Sequence, residues 1–192
     1  KGLEMSVSNR DSKLSGGLTC KEIMAASLSL KDNSFEILAE DNHLGAGYKY
    51  ANQDELVNKG EFIAVGDLAR TDAGKVSLGI NILPSMLHLN SKEWNILPSR
   101  VQICDGEIDV ESVGFSCGDQ HIKLSGKTST DQKDTLTLSL DRFDISMLNH
   151  ILKSDLRVKG AVTGKVQLTS PLSSKGLLAD LICDSTHIAD VP

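Results

Sequence analysis

The sequence predicts an all-β protein built on a long, curved, mostly antiparallel sheet, and three observations predict it. Apolar residues recur at alternate positions almost from end to end, the period of a strand with one face turned away from water. Turn-forming Asp, Asn and Gly residues cut this pattern into short runs. One stretch of the pattern then repeats sixty residues later. Phe62, Ala64 and Gly66 are echoed by Ile122, Leu124 and Gly126, and Val76, Leu78 and Ile80 by Leu136, Leu138 and Leu140.

In chain order, Leu18, Cys20, Ala26, Leu28 and Leu30 share one parity, and Phe35, Ile37 and Ala39 share the other, with Asp32-Asn33 as a turn signal between them. Leu44, Ala46, Tyr48 and Tyr50 follow the signal Asp41-Asn42, and Asn52 to Asn58 predicts a single helical turn. The first copy of the repeat is strand, turn (Asp72-Ala73-Gly74), strand and a return element ending at Ser85-Met86-Leu87. Ser146-Met147-Leu148 echoes that ending one residue out of step. From Leu83 to Ser99 the chain carries Leu-Pro-Ser twice and its one tryptophan, Trp94. This reads as a connection between units in which Leu87, Leu89, Trp94 and Ile96 still demand burial. Val101 and Ile103, then Ile108 and Val110, flank Asp105-Gly106; Val113, Phe115 and Cys117 lead to Gly118-Asp119 and the second copy.

The strand period breaks where Ile145, Leu148, Ile151 and Leu152 take helical spacing behind Asp144, a good N-cap, so one short helix is expected near 145–153. Val158, Val162, Val166 and Leu168 then share a face, followed by Leu177, Ala179 and Leu181. Roughly a dozen strands in this order can close as a barrel, stack as a sandwich or extend as one sheet. The repeat favours extension, each unit covering its neighbour's edge. The expected organisation is a single repeating β-domain over 1–192, with sub-units near 1–58, 59–98, 99–154 and 155–192.

Composition narrows the function. A net charge of −6, with 20 basic residues scattered among 26 acidic ones, argues against nucleic acid, whose binders gather Lys and Arg on one face. One Trp, two Tyr and four Phe are too few for the stacking platforms that single strands need. No apolar run approaches the length of a membrane-spanning helix, and the opening Lys1 reads as part of something longer.

No reactive constellation stands out, and no enzyme is expected. Cys20, Cys104, Cys117 and Cys183 form no C-x-x-C pair, which leaves no metal or redox motif. Cys20, Cys117 and Cys183 are in phase with apolar neighbours and read as small buried hydrophobes. His43, His88, His121, His150 and His187 stand alone, with His121 on the polar parity beside Lys123. No G-x-S-x-G elbow and no G-x-G-x-x-G loop is present, so neither a catalytic residue nor a cofactor is assigned. Glycines within strands read as bulges, bends or close backbone approaches.

From about residue 93 the chain resembles the C-terminal region of the TamB (translocation and assembly module B) family, within the wider AsmA-like group. The resemblance is carried by Trp94-Asn95-Ile96 and Pro98, Gly106-Glu107-Ile108-Asp109-Val110 and His121-Ile122-Lys123-Leu124-Ser125-Gly126. It continues through Asp134 to Leu148, then Val158-Lys159-Gly160-Ala161-Val162-Thr163-Gly164, and Pro171 followed by Gly176. It implies a sheet folded into a U-shaped, apolar-lined trough, a β-taco. It also implies a periplasmic stretch of a longer protein anchored in the inner membrane and reaching toward the outer membrane. Such proteins are implicated in carrying phospholipid across the periplasm, and in outer-membrane protein assembly and secretion with an outer-membrane barrel partner.

On this reading Phe62, Ala64, Val76, Leu78, Ile80, Ile122, Leu124, Leu136, Leu138 and Leu140 line the trough. Acyl chains lying along them gain about 0.8 kcal/mol per buried methylene. The alternative, a closed core, gives the same sequence pattern. So do two other readings: a scaffold offering sheet edges to unfolded outer-membrane proteins, and a structural or adhesive β-repeat. An open lining in a soluble fragment also predicts self-association.

Overall fold

The structure is a computed structural model that describes residues 3–25, 28–52, 58–89, 91–129, 133–150, 156–169 and 176–190. The chain is all-β. Its strands are β1 (Leu3–Arg10), β2 (Lys13–Ala25), β3 (Leu28–Glu40), β4 (His43–Ala51), β5 (Lys59–Arg70), β6 (Val76–Ile82) and β7 (Ser85–Leu89). There follow β8 (Lys92–Ile96), β9 (Ser99–Cys104), β10 (Glu107–Cys117), β11 (Gln120–Thr128) and β12 (Thr135–Asp144), a 3₁₀ helix over Ile145–His150, β13 (Leu156–Thr169) and β14 (Gly176–Asp190). All fourteen strands belong to one sheet, running in order from β1 to β6, then β9 to β14, with β7 and β8 beside the path.

Local chemistry explains two of the tight hairpins. Asp11-Ser12 (φ 52° and 63°) and Asp105-Gly106 (φ 52° and 78°) hold positive φ at both positions, the geometry of tight two-residue hairpin turns. Asp32-Asn33, expected as a turn, lies inside β3 instead. Asp32 does take φ 47°, but the chain runs on because Asn33 spans the kink. The Asn33 amide donates to the carbonyls of Cys20 (3.2 Å) and Leu30 (2.7 Å) and accepts from the Tyr48 hydroxyl at 2.6 Å. The helical turn expected at Asn52 to Asn58 falls largely on 53–57, outside the described residues; the Asn52 amide donates to the Asn58 carbonyl at 2.6 Å.

The stretch read as a connection, Leu83 to Ser99, is a second half of a hairpin bent at matched corners. β6 pairs with β9 up to Ile82–Ser99, and β7 pairs with β8 from Ser85–Ile96. The two Leu-Pro-Ser segments therefore face each other. At each, the leucine amide donates 2.9 Å to the adjoining strand (Leu83 to Ile63, Leu97 to Gly114). At each, the serine hydroxyl donates to the leucine carbonyl. Proline lacks an N–H, so the corner sits where no ladder bond is lost.

The helix expected near 145–153 is a 3₁₀ helix over Ile145–His150; Ile151 and Leu152 lie outside the described residues. Asp144 caps it, its carboxylate accepting from the Ser146 amide at 2.9 Å.

The echo survives as a pattern of two antiparallel hairpins but not as a register. Gly66 pairs with Ile80, whereas Gly126 pairs with Leu136 rather than Leu140. The return element is strand β7 in one copy and the 3₁₀ helix in the other.

The substantial contacts are between neighbours in the sheet or from the 3₁₀ helix to β13. Among the described residues the buried hydrophobic side chains are Tyr50, Trp94, Ile96, Val110 and Val162. The surface area follows from this. A compact 20.6 kDa protein exposes roughly 8,900 Å², and this chain exposes 12590 Å².

Candidate functional site: an aliphatic face and a glycine-floored slot

Directly opposed residues of an antiparallel pair share a face, so the pairings trace which side chains stand together. One row is unbroken from the first strand to the last. It runs Asn9, Leu14, Ala39, Leu44, Gly66, Ile80 and Val101. It continues through Val110, Gly126, Leu136 and Leu168 to Leu177. A second row joins Leu68, Leu78, Ile103 and Ile108. A third joins Val113, Leu124, Leu138, Val166 and Ala179, and a fourth joins Phe115, Ile122, Leu140 and Leu181 through Gly164.

Two bulges keep these rows aligned. Between Val110 and Val113, and between Leu140 and Phe143, one strand carries an extra residue, so apolar residues three apart still share the face. Gly126 (φ 117°) and Gly164 (φ 147°) sit in backbone conformations that a Cβ resists.

The residues expected to line a trough all fall on this face. Phe62 and Ala64 stand beside Tyr48 and Ala46. Leu78, Ile80, Ile122, Leu124, Leu136, Leu138 and Leu140 are half-buried, while Val76 ends its strand opposite Arg70 and is 54% exposed. Burial is deepest at Tyr50, Trp94, Ile96, Val110 and Val162, all on this face, and falls toward both edges, with Met5 76% and Leu177 71% exposed. The face is thus buried beside Tyr50, Trp94 and Ile96 and at the two bulges, and partly accessible elsewhere.

The aromatic cluster closes one end of it. Tyr50, paired with Gly60, lies across the space a side chain at Gly60 would take. Its hydroxyl donates to the His88 carbonyl at 3.3 Å, and its ring stacks on Tyr48 with centroids 5.8 Å apart. Burial, then the neighbouring Tyr48, pushes the Tyr50 phenol up to about 12.

The opposite face is wet and laced with cross-strand ion pairs, among them Lys13–Glu40 (2.9 Å), Lys49–Glu61 (2.9 Å) and His43–Asp67 (2.5 Å). Exposed pairs of this kind add little stability. This face also holds a cavity of about 640 Å³ across β1 to β5 that the sequence did not announce. Glu36, Leu38, Lys49, Ile63 and Val65 line it, and Phe35, Tyr48 and Phe62 do not, which places it opposite the aliphatic rows. Its floor is glycine: a Cβ at Gly47 would meet nothing within 4 Å.

The four cysteines are free. Cys183, expected to be buried, is exposed because β14 is the sheet's last strand, and Cys20 and Cys117 are only half-buried. His121 is exposed, 3.8 Å from Asp141. Among the described residues no three His, Cys, Asp or Glu side chains are placed to hold a metal ion, and no helix is long and apolar enough to cross a membrane. Compared with known proteins, the chain significantly matches no family model, no curated protein and no solved structure.

Proposed function

We propose that this chain is a non-enzymatic lipid-handling module whose aliphatic face carries acyl chains. One observation carries the reading: the unbroken row from Leu14 through Ile80 and Leu136 to Leu177, most of it accessible to a ligand. A row that crosses the sheet from edge to edge gives a chain molecule a track rather than a pocket. Each methylene laid on it contributes about 0.8 kcal/mol, so many equivalent positions lie side by side without one deep well. Transport needs that property. Curling of the sheet about this row would turn the track into a trough shielded from water.

In keeping with the family resemblance, the setting we propose is the periplasm. The chain would there be part of a longer inner-membrane-anchored protein that passes phospholipid toward the outer membrane and works with a barrel assembly partner. The test is crosslinking in cells from a photoreactive residue at Leu138 or Leu78, with Lys123 on the other face as control. Phospholipid captured at the first two and not at the third supports the reading; silence at both aliphatic positions sinks it.

A second reading rests on β14, whose Leu178, Ile182 and Ile188 are 63–71% exposed. An edge of this kind can receive an extended segment of an unfolded outer-membrane protein. Proline at Ile182 should then abolish client capture while leaving the fold intact.

A further inference from the structure

We propose that Arg70 holds the phosphate of a lipid whose acyl chains lie on the aliphatic face, the headgroup sitting at the rim where β5 turns into β6. This assignment rests on the acyl-carrying face proposed above and narrows its ligand to a lipid that bears a phosphate.

Arg70 ends β5 opposite Val76, the first residue of β6. Alternate residues of a strand share a face, so Arg70 stands in line with Leu68 and Gly66, and Val76 with Leu78 and Ile80. A guanidinium is thereby set at the foot of the aliphatic rows, beside Leu68 and Val76, which are 41% and 54% exposed. Among the described residues its side chain makes one hydrogen bond, from Nη1 to the Gly74 carbonyl at 3.2 Å, inside the turn that joins the two strands. No carboxylate among the described residues pairs with it. Asp72, in the same turn, makes no bond to it, and Asp105, at the next turn along the rim, is bound by Lys75.

The other charges show why this position differs. Lys92 shares the aliphatic face, in line with Trp94, but Asp144 holds it at 2.7 Å. Arg100 has no such partner, yet it stands on the polar face in the row of Val65 and Asn81, where a lone cation is solvated. Arg70 alone of these three joins an uncompensated charge to the aliphatic rows. The rest of its fork is open, and a guanidinium fork matches two oxygens of a phosphate at once. The space fits as well. From Arg70 to Phe62, which stands beside Tyr48, β5 rises about 27 Å. Half the hydrocarbon core of a bilayer is about 15 Å, so chains anchored at Arg70 lie on aliphatic rows along their whole length. An anion without chains gains only the rim contact, and chains without an anion gain only the rows; a phospholipid gains both.

Isothermal titration of the 192-residue chain tests this. The probes are dihexanoyl phosphatidylglycerol, dihexanoylglycerol and inorganic phosphate, with both lipids kept below micelle formation. The wild-type chain should bind the phospholipid at least about fivefold more tightly than the diacylglycerol, and more tightly than inorganic phosphate. Arg70→Gln should remove that preference and leave diacylglycerol binding unchanged. Arg70→Lys, which keeps the charge and loses the fork, should retain part of it, and Arg100→Gln should alter nothing. Arg70 is exposed at a strand end, so these substitutions spare the fold, which circular dichroism checks. Equal binding of the two lipids by the wild-type chain, or a preference that survives Arg70→Gln, overturns the headgroup assignment and leaves the acyl-carrying face standing. Inorganic phosphate bound as tightly as the phospholipid overturns it too, as an anion site that ignores the chains. Binding of neither lipid overturns the acyl-carrying face and this assignment together.

Discussion

Lys92 and Asp144, fifty-two residues apart, meet at 2.7 Å and tie the tip of the β7–β8 hairpin to the cap of the 3₁₀ helix. The Asp144 carboxylate also accepts from the Ser146 amide, while the Asp144 amide donates to the Gln120 side chain at 2.9 Å. Three chain reversals are thereby pinned at one end of the sheet. Burial pushes the Asp144 carboxyl up, but the hydrogen bonds from Lys92 and Ser146 outweigh it and hold the group below its ordinary 3.8.

A carboxylate depressed in the folded state contributes stability that is present above its unfolded value and lost as pH falls through its folded one. Urea midpoints of the wild-type chain should therefore decline below pH 3.8, and Asp144→Asn should flatten that part of the decline. Asp144→Ala also removes the cap, at a cost of about 1 kcal/mol. Identical acid limbs for wild type and Asp144→Asn would show that this contact is not what acid breaks.

Gly60 and Gly47 lie in adjoining strands, β5 and β4, with opposite surroundings. A Cβ at Gly60 would lie 2.5 Å from Leu87 Cδ2 and 2.9 Å from the Tyr50 hydroxyl, while one at Gly47 would meet nothing within 4 Å. Gly60→Val should destabilise by about 1–3 kcal/mol through overpacking. Gly47→Val should be neutral or stabilising by about 0.5–1 kcal/mol, since it relieves chain entropy at an ordinary strand position. Chemical denaturation of the pair checks this, and equal effects would contradict the contrast.

The bulge glycines should be the least replaceable. A Cβ at Gly126 collides with the Thr135 carbonyl, and one at Gly164 with the Asp180 carbonyl, both backbone atoms at positive φ. Gly126→Ala and Gly164→Ala should each cost about 3 kcal/mol or more, against a small change for Gly79→Ala, where the space is open. Thermal melts of the three variants rank them.

These contrasts also mark what the sequence displayed and what it hid. Alternation displayed the face, because Leu78, Ile80, Leu136 and Leu138 announce their parity wherever the strands pair. It could not display the register: that depends on loop length, so the hairpins holding Gly66 and Gly126 share a pattern while pairing differently. Asp32-Asn33 has the composition of a turn, yet the Asn33 side chain supplies the bonds that let the strand continue. Cys183 shares parity with Leu181, but parity does not reveal that its strand is last in the sheet. The slot was hidden because Gly17, Gly45 and Gly47 become a floor only when β2 and β4 lie near each other.

Tyr50 gives a spectroscopic check on the aromatic end of the aliphatic face. It is 4% exposed, with its phenol pushed up to about 12 by burial and then by Tyr48, which burial also raises from 10.0. A raised phenol is stabilising below its unfolded value of 10.0, and this contribution disappears as pH climbs toward about 12. Ultraviolet titration should thus show two tyrosinate steps, both above 10.0, the later one abolished by Tyr50→Phe. The unfolding midpoint of the wild-type chain should fall between those pH values more steeply than that of Tyr50→Phe. That variant loses the bond to His88 and keeps the ring over Gly60, so its neutral-pH stability should change by only about 1 kcal/mol. A single tyrosinate step near 10.0 in the wild-type chain would mean that water reaches Tyr50 and that this end of the face is open.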